Sequence, residues 1–188
     1  MNKKLKLVKF SYYLQKILPN INKIIVHSDF VVLCINKTDL YSVCAFLKNH
    51  SEVRLDYLLD IWGVDYPDKE ERFEVNYLLC SLLMGIRVIL KVTTTETDGI
   101  NSVVRVYPGA GWLEREVWDM FGVLFYGNPD LRRILTDYGF EGYPLRKDFP
   151  LSGYTEVRYD DGEKRVLQES LEVSQAYRSF NFKSPWEN

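Results

Sequence analysis

Histidine and cysteine are scarce in this chain, whose 188 residues include two histidines and three cysteines. Cys34, Cys44 and Cys80 are far apart in the sequence and form no Cys-x-x-Cys pair. Because zinc and iron–sulfur sites need about four soft ligands close together, we expect no metal or cluster held by this chain alone. The histidines are also distant from any serine or cysteine motif, so the sequence predicts no catalytic, cofactor-binding or metal-binding residue.

Long apolar runs and a strong charge of either sign are also missing. The nearest candidate for a membrane span, residues 78–86, is interrupted by Ser81 and Gly85 and is far shorter than the ~20 residues that cross a bilayer. Lysine and arginine number 24 against 26 acidic residues, which gives no large positive field for a phosphate backbone. We therefore expect neither a membrane span nor a nucleic-acid partner.

The composition, with 46% hydrophobic and 27% charged residues, is that of an ordinary globular domain. Short β-rich runs predict strands at residues 21–26, 30–35, 54–62, 72–82 and 87–95. Apolar residues at helical spacing predict a helix that is capped by Thr38 and ends near Asn49. With an N-terminal helix, the order α-β-β-α-β-β-β predicts an α+β fold, in which helices pack on a mixed sheet.

The first 28 residues carry six lysines and no acidic residue. One interpretation is an import presequence, but such segments favour arginine, which is absent from this stretch. The other, which we favour, is an opening helix with Leu5, Val8, Tyr12 and Leu14 roughly on one side and the lysines in solvent.

Residues 112–121 have a helical spacing that separates an apolar face from an acidic one. The apolar face contains Leu113, Val117, Met120 and Phe121. Glu116 and Asp119 lie one turn apart, where two carboxylates can hold a metal or divide acid and base roles. The alternative is that Arg115 pairs with Asp119 on a solvated or partner-facing surface. We favour this structural interpretation, and an independent metal-dependent enzyme using Glu116 and Asp119 is the alternative function.

Two charge-dense segments lie between prolines at positions 129, 144 and 150. Proline restricts the backbone, so the neighbouring side chains are presented in a limited geometry. Acidic residues alternate with the basic ones, which disfavours nucleic acid and favours forked contacts between arginine and protein carboxylates. We predict a partner interface formed by Asp130, Arg132, Arg133, Arg146 and Lys147. Ordinary surface charge is the competing interpretation.

The C-terminal part of the chain differs in composition from the rest. Residues 137–188 hold ten of the 27 aromatic residues but show no long periodic run. Aromatic rings on such a segment need another surface to bury them. We therefore predict an α+β domain over residues 1–125 and an extended arm over residues 126–188 that contacts partners. A stand-alone module that binds an acidic protein is a further alternative.

Three motifs carry a resemblance to a known family. They read EREVWDMFG at 114–122, NPDLRRILTDYGFEG at 128–142 and PLRKDFPLSGY at 144–154. Shorter matches are DIWGVDYP at 60–67, RFEV at 72–75, EVRYDD at 156–161, KRV at 164–166 and SPW at 184–186. On these residues the chain resembles the respiratory complex I family that contains mitochondrial NADH dehydrogenase subunit 9 and its bacterial counterparts.

The resemblance implies a scaffold subunit of the hydrophilic arm, which supports electron transfer from NADH to ubiquinone coupled to proton translocation. It implies that partner subunits, especially the quinone-module and iron–sulfur subunits, bind flavin mononucleotide, the iron–sulfur clusters and ubiquinone. We expect the arm to depart from a helix held by Glu114, Arg115, Glu116 and Asp119. The implied location is the matrix side of the mitochondrial inner membrane, or the cytoplasmic face in a bacterium.

Two positions depart from the pattern of that family. Asn128 and Tyr143 stand where the family usually has histidine. A role that needs a titrating imidazole is therefore not expected here, whereas hydrogen bonding or packing can persist. The composition, rich in lysine, asparagine, isoleucine and tyrosine, further suggests a chain encoded in the organelle.

Overall fold

The computed structural model describes residues 3–19, 21–172, 178–180, 182, 184 and 186. Contacts divide the chain into two compact units, Met1–Phe149 and Pro150–Asn188. The first unit contains α1 (Lys3–Ile17), β1 (Ile21–Val26), β2 (Phe30–Ile35), α2 (Leu40–Asn49), β3 (Tyr57–Asp65), β4 (Phe73–Ser81), β5 (Ile86–Thr94), β6 (Ile100–Asn101), α3 (Ala110–Phe121) and β7 (Phe125–Tyr126). The second contains β8 (Thr155–Asp160) and β9 (Arg165–Ser170). The predicted division after residue 125 concerns contacts with partners and stays a prediction.

A five-stranded mixed sheet forms the centre of the first unit. Its strand order is β1-β2-β5-β4-β3, and neighbouring strands are antiparallel except for β2 and β5, which are parallel. Alternate residues of a strand point to the same side of a sheet, and on one side of β4 these are the buried residues Phe73, Val75, Tyr77 and Leu79. The helices add buried side chains to the core on this side. The α+β class and the mixed sheet are confirmed.

Helix α2 buries Leu40, Val43, Cys44 and Leu47, at the spacing that predicted it. Its cap differs from the prediction, because the N-cap position is occupied by Asp39 and no side chain makes a capping hydrogen bond. The Thr38 hydroxyl lies 3.4 Å from the Asp39 carboxylate instead. The prediction of a Thr38 cap was therefore wrong.

Helix α1 forms where it was predicted but buries a different face. Leu7, Phe10 and Leu14 are buried, whereas Leu5 and Tyr12 are exposed. The buried residues recur at intervals of three and four, so the helical period was right. Apolar residues occur on more than one side of this helix, and only packing against the sheet selects the buried side. Lys6 donates a hydrogen bond to the carbonyl of Met84 rather than lying free in solvent.

Strand β3 begins three residues after its predicted start. Arg54 has a φ of 43°, and its N–H donates to the carbonyl of His50 over 3.0 Å, so the chain turns there.

The short parallel pair of strands β6 and β7 was not predicted from the sequence. Within the described residues no helix is both long and apolar enough to cross a membrane.

The second unit is built on an antiparallel hairpin in which Thr155 pairs with Ser170 and Asp160 with Arg165. Most side chains of its two strands are exposed. The sequence indicated extended backbone without a core in this region but did not predict strand pairing. Residues 173–177, which belong to the predicted arm, lie outside the described part of the chain.

Candidate functional site

The residues singled out by the sequence lie in α3 and in the segment that follows it. We call residues 122–149 the motif region. Asp119, on α3, is fully buried and accepts hydrogen bonds from the backbone N–H groups of Ile134, Leu135 and Thr136 at 3.1, 2.7 and 3.0 Å. The Thr136 hydroxyl donates a further bond of 2.6 Å. Burial by itself raises the pKa of Asp119, but these hydrogen bonds outweigh it and hold the pKa below its ordinary value. The carboxylate thereby fixes this turn against the helix.

Glu114 makes a second buried connection between α3 and the rest of the first unit. Its carboxylate accepts hydrogen bonds from the Ser102 hydroxyl at 2.7 Å, from the Val103 N–H at 2.8 Å and from the Asn128 side-chain amide at 2.8 Å. Burial raises the pKa of Glu114 above its ordinary value in spite of these donors. Asn128 therefore keeps a hydrogen bond at a position where a histidine was expected from the family pattern.

The two other charged residues of α3 do not form the pairs that the sequence suggested. Arg115 donates to the carbonyl of Arg132 over 3.0 Å and lies over the Trp112 ring, 4.9 Å from its centroid. It does not form the predicted ion pair with Asp119, which is turned toward the 133–136 turn. Glu116 is exposed whereas Asp119 is buried, so their carboxylates do not converge. No group of three or more candidate metal ligands occurs among the residues that the structure describes.

Two arginines of the predicted interface pack against one ring in the motif region. Arg133 and Arg146 lie 5.1 and 4.6 Å from the centroid of Tyr143. Arg133 also donates to the carbonyl of Gly142 over 2.9 Å, and Arg146 donates to that of Phe121 over 2.7 Å. Tyr143, at the second position where histidine was expected, therefore has a packing role within this chain.

Gly122 shows how closely the motif region packs on the end of α3. It ends the helix with a φ of 80°, in the left-handed region that favours glycine. A Cβ atom added there would lie 2.6 Å from the Tyr143 ring and 2.7 Å from the Arg146 guanidinium. Any larger residue at this position must displace both side chains.

An ion-pair cluster around Arg72 was not predicted. The Arg72 guanidinium donates to Asp65 at 2.7 and 2.8 Å and to Asp148 at 3.0 Å, and it also pairs with Glu96. Asp65 accepts a further bond of 2.8 Å from the N–H of Lys147. The hydrogen bonds that Arg72 donates hold the pKa of Asp65 below its ordinary value. Because Asp65 and Asp148 accept these bonds, the pKa of Arg72 is raised.

This cluster joins residues that are far apart in the chain, so no sequence spacing indicates it. The available signal was that Asp65, Arg72 and Asp148 all lie within the quoted family motifs. Their function in this chain is structural, because the cluster holds the segment around residue 148 to the ends of β3 and β4.

The remaining residues of the predicted interface face solvent. Asp130 and Arg132 form an exposed pair, with 3.0 Å between the carboxylate and Nε, and Lys147 is exposed. Arg133 and Arg146 are about one quarter and one sixth exposed, since each has partners within the chain. Contacts of these five residues with other proteins stay a prediction.

The three cysteines do not share one site. Cys44 is buried in the core on the helical side of the sheet, where burial raises the pKa of its thiol. Cys34 and Cys80 alternate with the core residues of β2 and β4 and point to the opposite side. Cys34 pairs with Lys91, which pairs with Asn76, so Cys80 lies about 13 Å further along β4.

Comparison with solved structures first identifies the class of protein. The chain is similar to a chain in the structure of the membrane-bound sulfane sulfur reductase, an archaeal respiratory membrane complex, with a TM-score of 0.66 and 25% sequence identity. The likeness covers 77% of this chain and 85% of the other. The fold is therefore one that occurs in subunits of respiratory complexes.

The family follows from the sequence. The family model described as respiratory-chain NADH dehydrogenase, 30 Kd subunit, matches residues 33–155. "NADH dehydrogenase [ubiquinone] iron-sulfur protein 3" of Patellifolia webbiana is 59% identical over 152 residues, which is 81% of this chain and 79% of that protein. "NADH-ubiquinone oxidoreductase subunit 9" of Reclinomonas americana is 50% identical over 182 residues, 96% of this chain and 89% of that protein. The chain belongs to this family, and the resemblance seen in the motifs is confirmed.

Proposed function

We propose that this chain is a non-redox scaffold subunit in the peripheral arm of a proton-translocating NADH:ubiquinone oxidoreductase, respiratory complex I. The observation that carries the proposal is its membership, over residues 33–155, of the 30 Kd subunit family. The motif region supports a structural role, because its conspicuous charges are used to hold the chain's own segments together. This chain thus contributes to the enzyme's activity without holding catalytic residues.

The positions of the cysteines support the non-redox part of the proposal. Several relatives bear the name "iron-sulfur protein 3". In this chain Cys44 lies on one side of the sheet, whereas Cys34 and Cys80 lie on the other. A cluster needs cysteines that converge on one point, so these residues do not suit one. Flavin mononucleotide, the iron–sulfur clusters and ubiquinone are therefore assigned to partner subunits.

The hairpin of the second unit supports a role in assembly. Val157, Tyr159 and Val166 lie on one face of its two strands and are each more than half exposed. An isolated two-stranded hairpin is at best marginally stable in water, and exposed apolar faces of this kind are covered in interfaces. We assign this face to contacts with neighbouring hydrophilic-arm subunits, especially those of the quinone module and the iron–sulfur subunits.

The proposed location is the matrix side of the mitochondrial inner membrane, or the cytoplasmic face if the source is bacterial. The relative from Patellifolia webbiana is named "NADH dehydrogenase [ubiquinone] iron-sulfur protein 3", and the one from Reclinomonas americana is named "NADH-ubiquinone oxidoreductase subunit 9". Within such an assembly a chain of this kind is held at the membrane by its partners. The metal-dependent enzyme is not proposed, because Glu116 and Asp119 point to different surroundings.

Native gel electrophoresis of detergent-solubilised membranes tests the proposed function. The chain, detected by an antibody, is expected in a large band that oxidises NADH, and depletion of the chain is expected to remove that band. Migration near its own mass of 22.1 kDa, with the NADH-oxidising band unchanged by depletion, would contradict the proposal.

A further inference from the structure

A pocket of about 590 Å³ opens in the motif region between α3 and residues 132–139. Its lining combines arginines with large aromatic rings and includes Trp112, Arg115, Arg132, Arg133, Asp137 and Tyr138. Trp112 is 66% exposed, and Tyr138 is fully exposed. Cationic groups and uncovered rings therefore occur side by side at one opening.

One of the three arginines in this arginine pocket has no acidic partner among the described residues. Arg115 is only 8% exposed, and no carboxylate of the described residues contacts its guanidinium. Arg132 has one exposed partner, Asp130, and Arg133 is 3.5 Å from Asp119. Asp137 also lines the pocket, so Arg115 is the lining guanidinium that lacks a carboxylate partner among the described residues. A negatively charged occupant is complementary to it.

The exposed rings distinguish a protein segment from a small anion. Phosphate would pair with the guanidinium groups but would leave the exposed parts of Trp112 and Tyr138 in water. Tryptophan, tyrosine and arginine are the residue types that contribute most to the energy of protein–protein interfaces. A peptide segment can place a carboxylate on the arginines and an apolar side chain on a ring at the same time.

We infer that the arginine pocket binds an acidic segment of a partner protein, in which an aspartate or glutamate side chain pairs with Arg115 and Arg132. An apolar side chain of the same segment packs against Trp112 or Tyr138. The inference rests on the proposed function, since it identifies the chemistry of one contact made in the assembled enzyme.

Zero-length cross-linking in the assembled complex tests the inference. Arg132→Lys keeps the charge at an exposed position and introduces an amine that a carbodiimide joins only to a carboxylate in direct contact. Mass spectrometry of the purified complex is expected to find residue 132 linked to an aspartate or glutamate of another subunit. If residue 132 links to no carboxylate other than that of its neighbour Asp130, the inference is overturned.

Arg54→Lys is a matched control, because Arg54 is also exposed and lies 3.7 Å from an aspartate two positions away, Asp56. A link between residues 54 and 56 shows that the reagent acts on the complex. The control allows a missing link at residue 132 to be read as a missing contact.

A second measurement separates the sources of negative charge. Phenylglyoxal is expected to modify Arg132 at least tenfold more slowly in the complex than in the purified chain. Equal rates of Arg132 modification in the complex and in the purified chain would mean an open pocket and would overturn the inference. The proposed function would still stand if the chain comigrates with the NADH-oxidising band on the native gel. Protection that disappears on removing phosphate and lipid, with every subunit still present, would also overturn it, because the occupant would then be a small anion or lipid.

Discussion

Two segments that follow α3 differ in how their charges are used. Residues 127–149 contain no helix or strand, yet buried carboxylates of the first unit, Asp119 and Asp65, accept hydrogen bonds from their backbone. In the hairpin of β8 and β9, strand pairing supplies the backbone bonds, and the ion pair of Arg158 with Glu169 is exposed. Both segments are rich in charge, but only the first has an ion pair with a fully buried carboxylate, that of Arg133 with Asp119.

This difference teaches that burial, rather than the number of charges, decides what an ion pair contributes. A buried carboxylate that loses its partners leaves several groups unsatisfied, whereas an exposed pair exchanges its partner for water. The segment 127–149 is therefore expected to be as stable as the core, and the hairpin to depend on what covers its apolar face.

The largest effect is expected for Asp119→Ala. The substitution removes the acceptor for three backbone N–H groups and the Thr136 hydroxyl, and we expect a loss of about 4 kcal/mol in the free energy of unfolding. Urea unfolding of the purified chain measures it. Glu116→Ala, on the same helix but exposed, is the control and is expected to change stability by less than about 0.5 kcal/mol. Equal effects of the two substitutions would contradict the assignment.

Arg72→Gln is expected to have the next largest effect, about 3 kcal/mol, because it leaves the buried Asp65 without its forked partner. Hydrogen exchange should become faster at the N–H of Lys147, which still donates to Asp65 but is no longer held in place. Arg87→Gln, an exposed change on β5, serves as the control. Unchanged exchange at Lys147 would show that the cluster does not fix this segment.

Acid is expected to weaken the segment 127–149 selectively. Hydrogen bonds hold the folded pKa values of Asp65 and Asp119 below the ordinary value of 3.8. The stability that these two carboxylates give to the fold is therefore complete above pH 3.8, and it is lost as the pH falls through their lower folded pKa values. Glu114, whose pKa is raised, acts in the opposite direction. Its contribution to folding stability is complete below pH 4.5 and is lost as the pH rises through its higher folded pKa.

Stability measured between pH 5 and pH 2 tests the prediction for Asp119. The wild-type chain should lose stability more steeply than Asp119→Ala, because the variant lacks one of the carboxylates with a lowered pKa that must be protonated. Parallel curves for the two proteins would rule out the assigned role of this carboxylate.

The smallest effect is expected for Arg158→Ala in the hairpin. Its pairs with Glu169 and Asp160 are exposed, so we expect no measurable change in the unfolding of the isolated chain.

Val157→Asp, on the apolar face of the hairpin, should likewise leave the isolated chain folded but reduce its incorporation into the NADH-oxidising band. Normal incorporation of Val157→Asp would remove the apolar face from the proposed interface.

Local patterns predicted those elements whose signals lie within one stretch of chain. The spacing of Leu40, Val43, Cys44 and Leu47 gave α2, and the β-rich runs gave the five strands of the sheet to within a few residues. The buried face of α1 was missed, because apolar residues such as Leu5 and Leu7 lie on different sides of the same helix. A hydrophobic period defines a helix but does not say which side meets the sheet.

The candidate site shows the same limit. Helical spacing placed Glu116 and Asp119 one turn apart, but packing buried one and exposed the other. The partners of Asp119 lie 15 to 17 positions later, and Asp148 lies 76 positions from Arg72. Neither contact follows a local period, so neither could be predicted from the spacing of residues in the sequence.

By itself the sequence determined the family, the α+β class and the absence of a local cysteine motif, because each depends on residue types at short spacing. Only the tertiary structure decided which carboxylates are buried, which arginines are neutralised within the chain and which arginine at a pocket keeps no carboxylate partner among the described residues. The physical reason is that the strength of an electrostatic contact depends on exclusion of water and on distance in space. Both are set when segments far apart in the chain pack together.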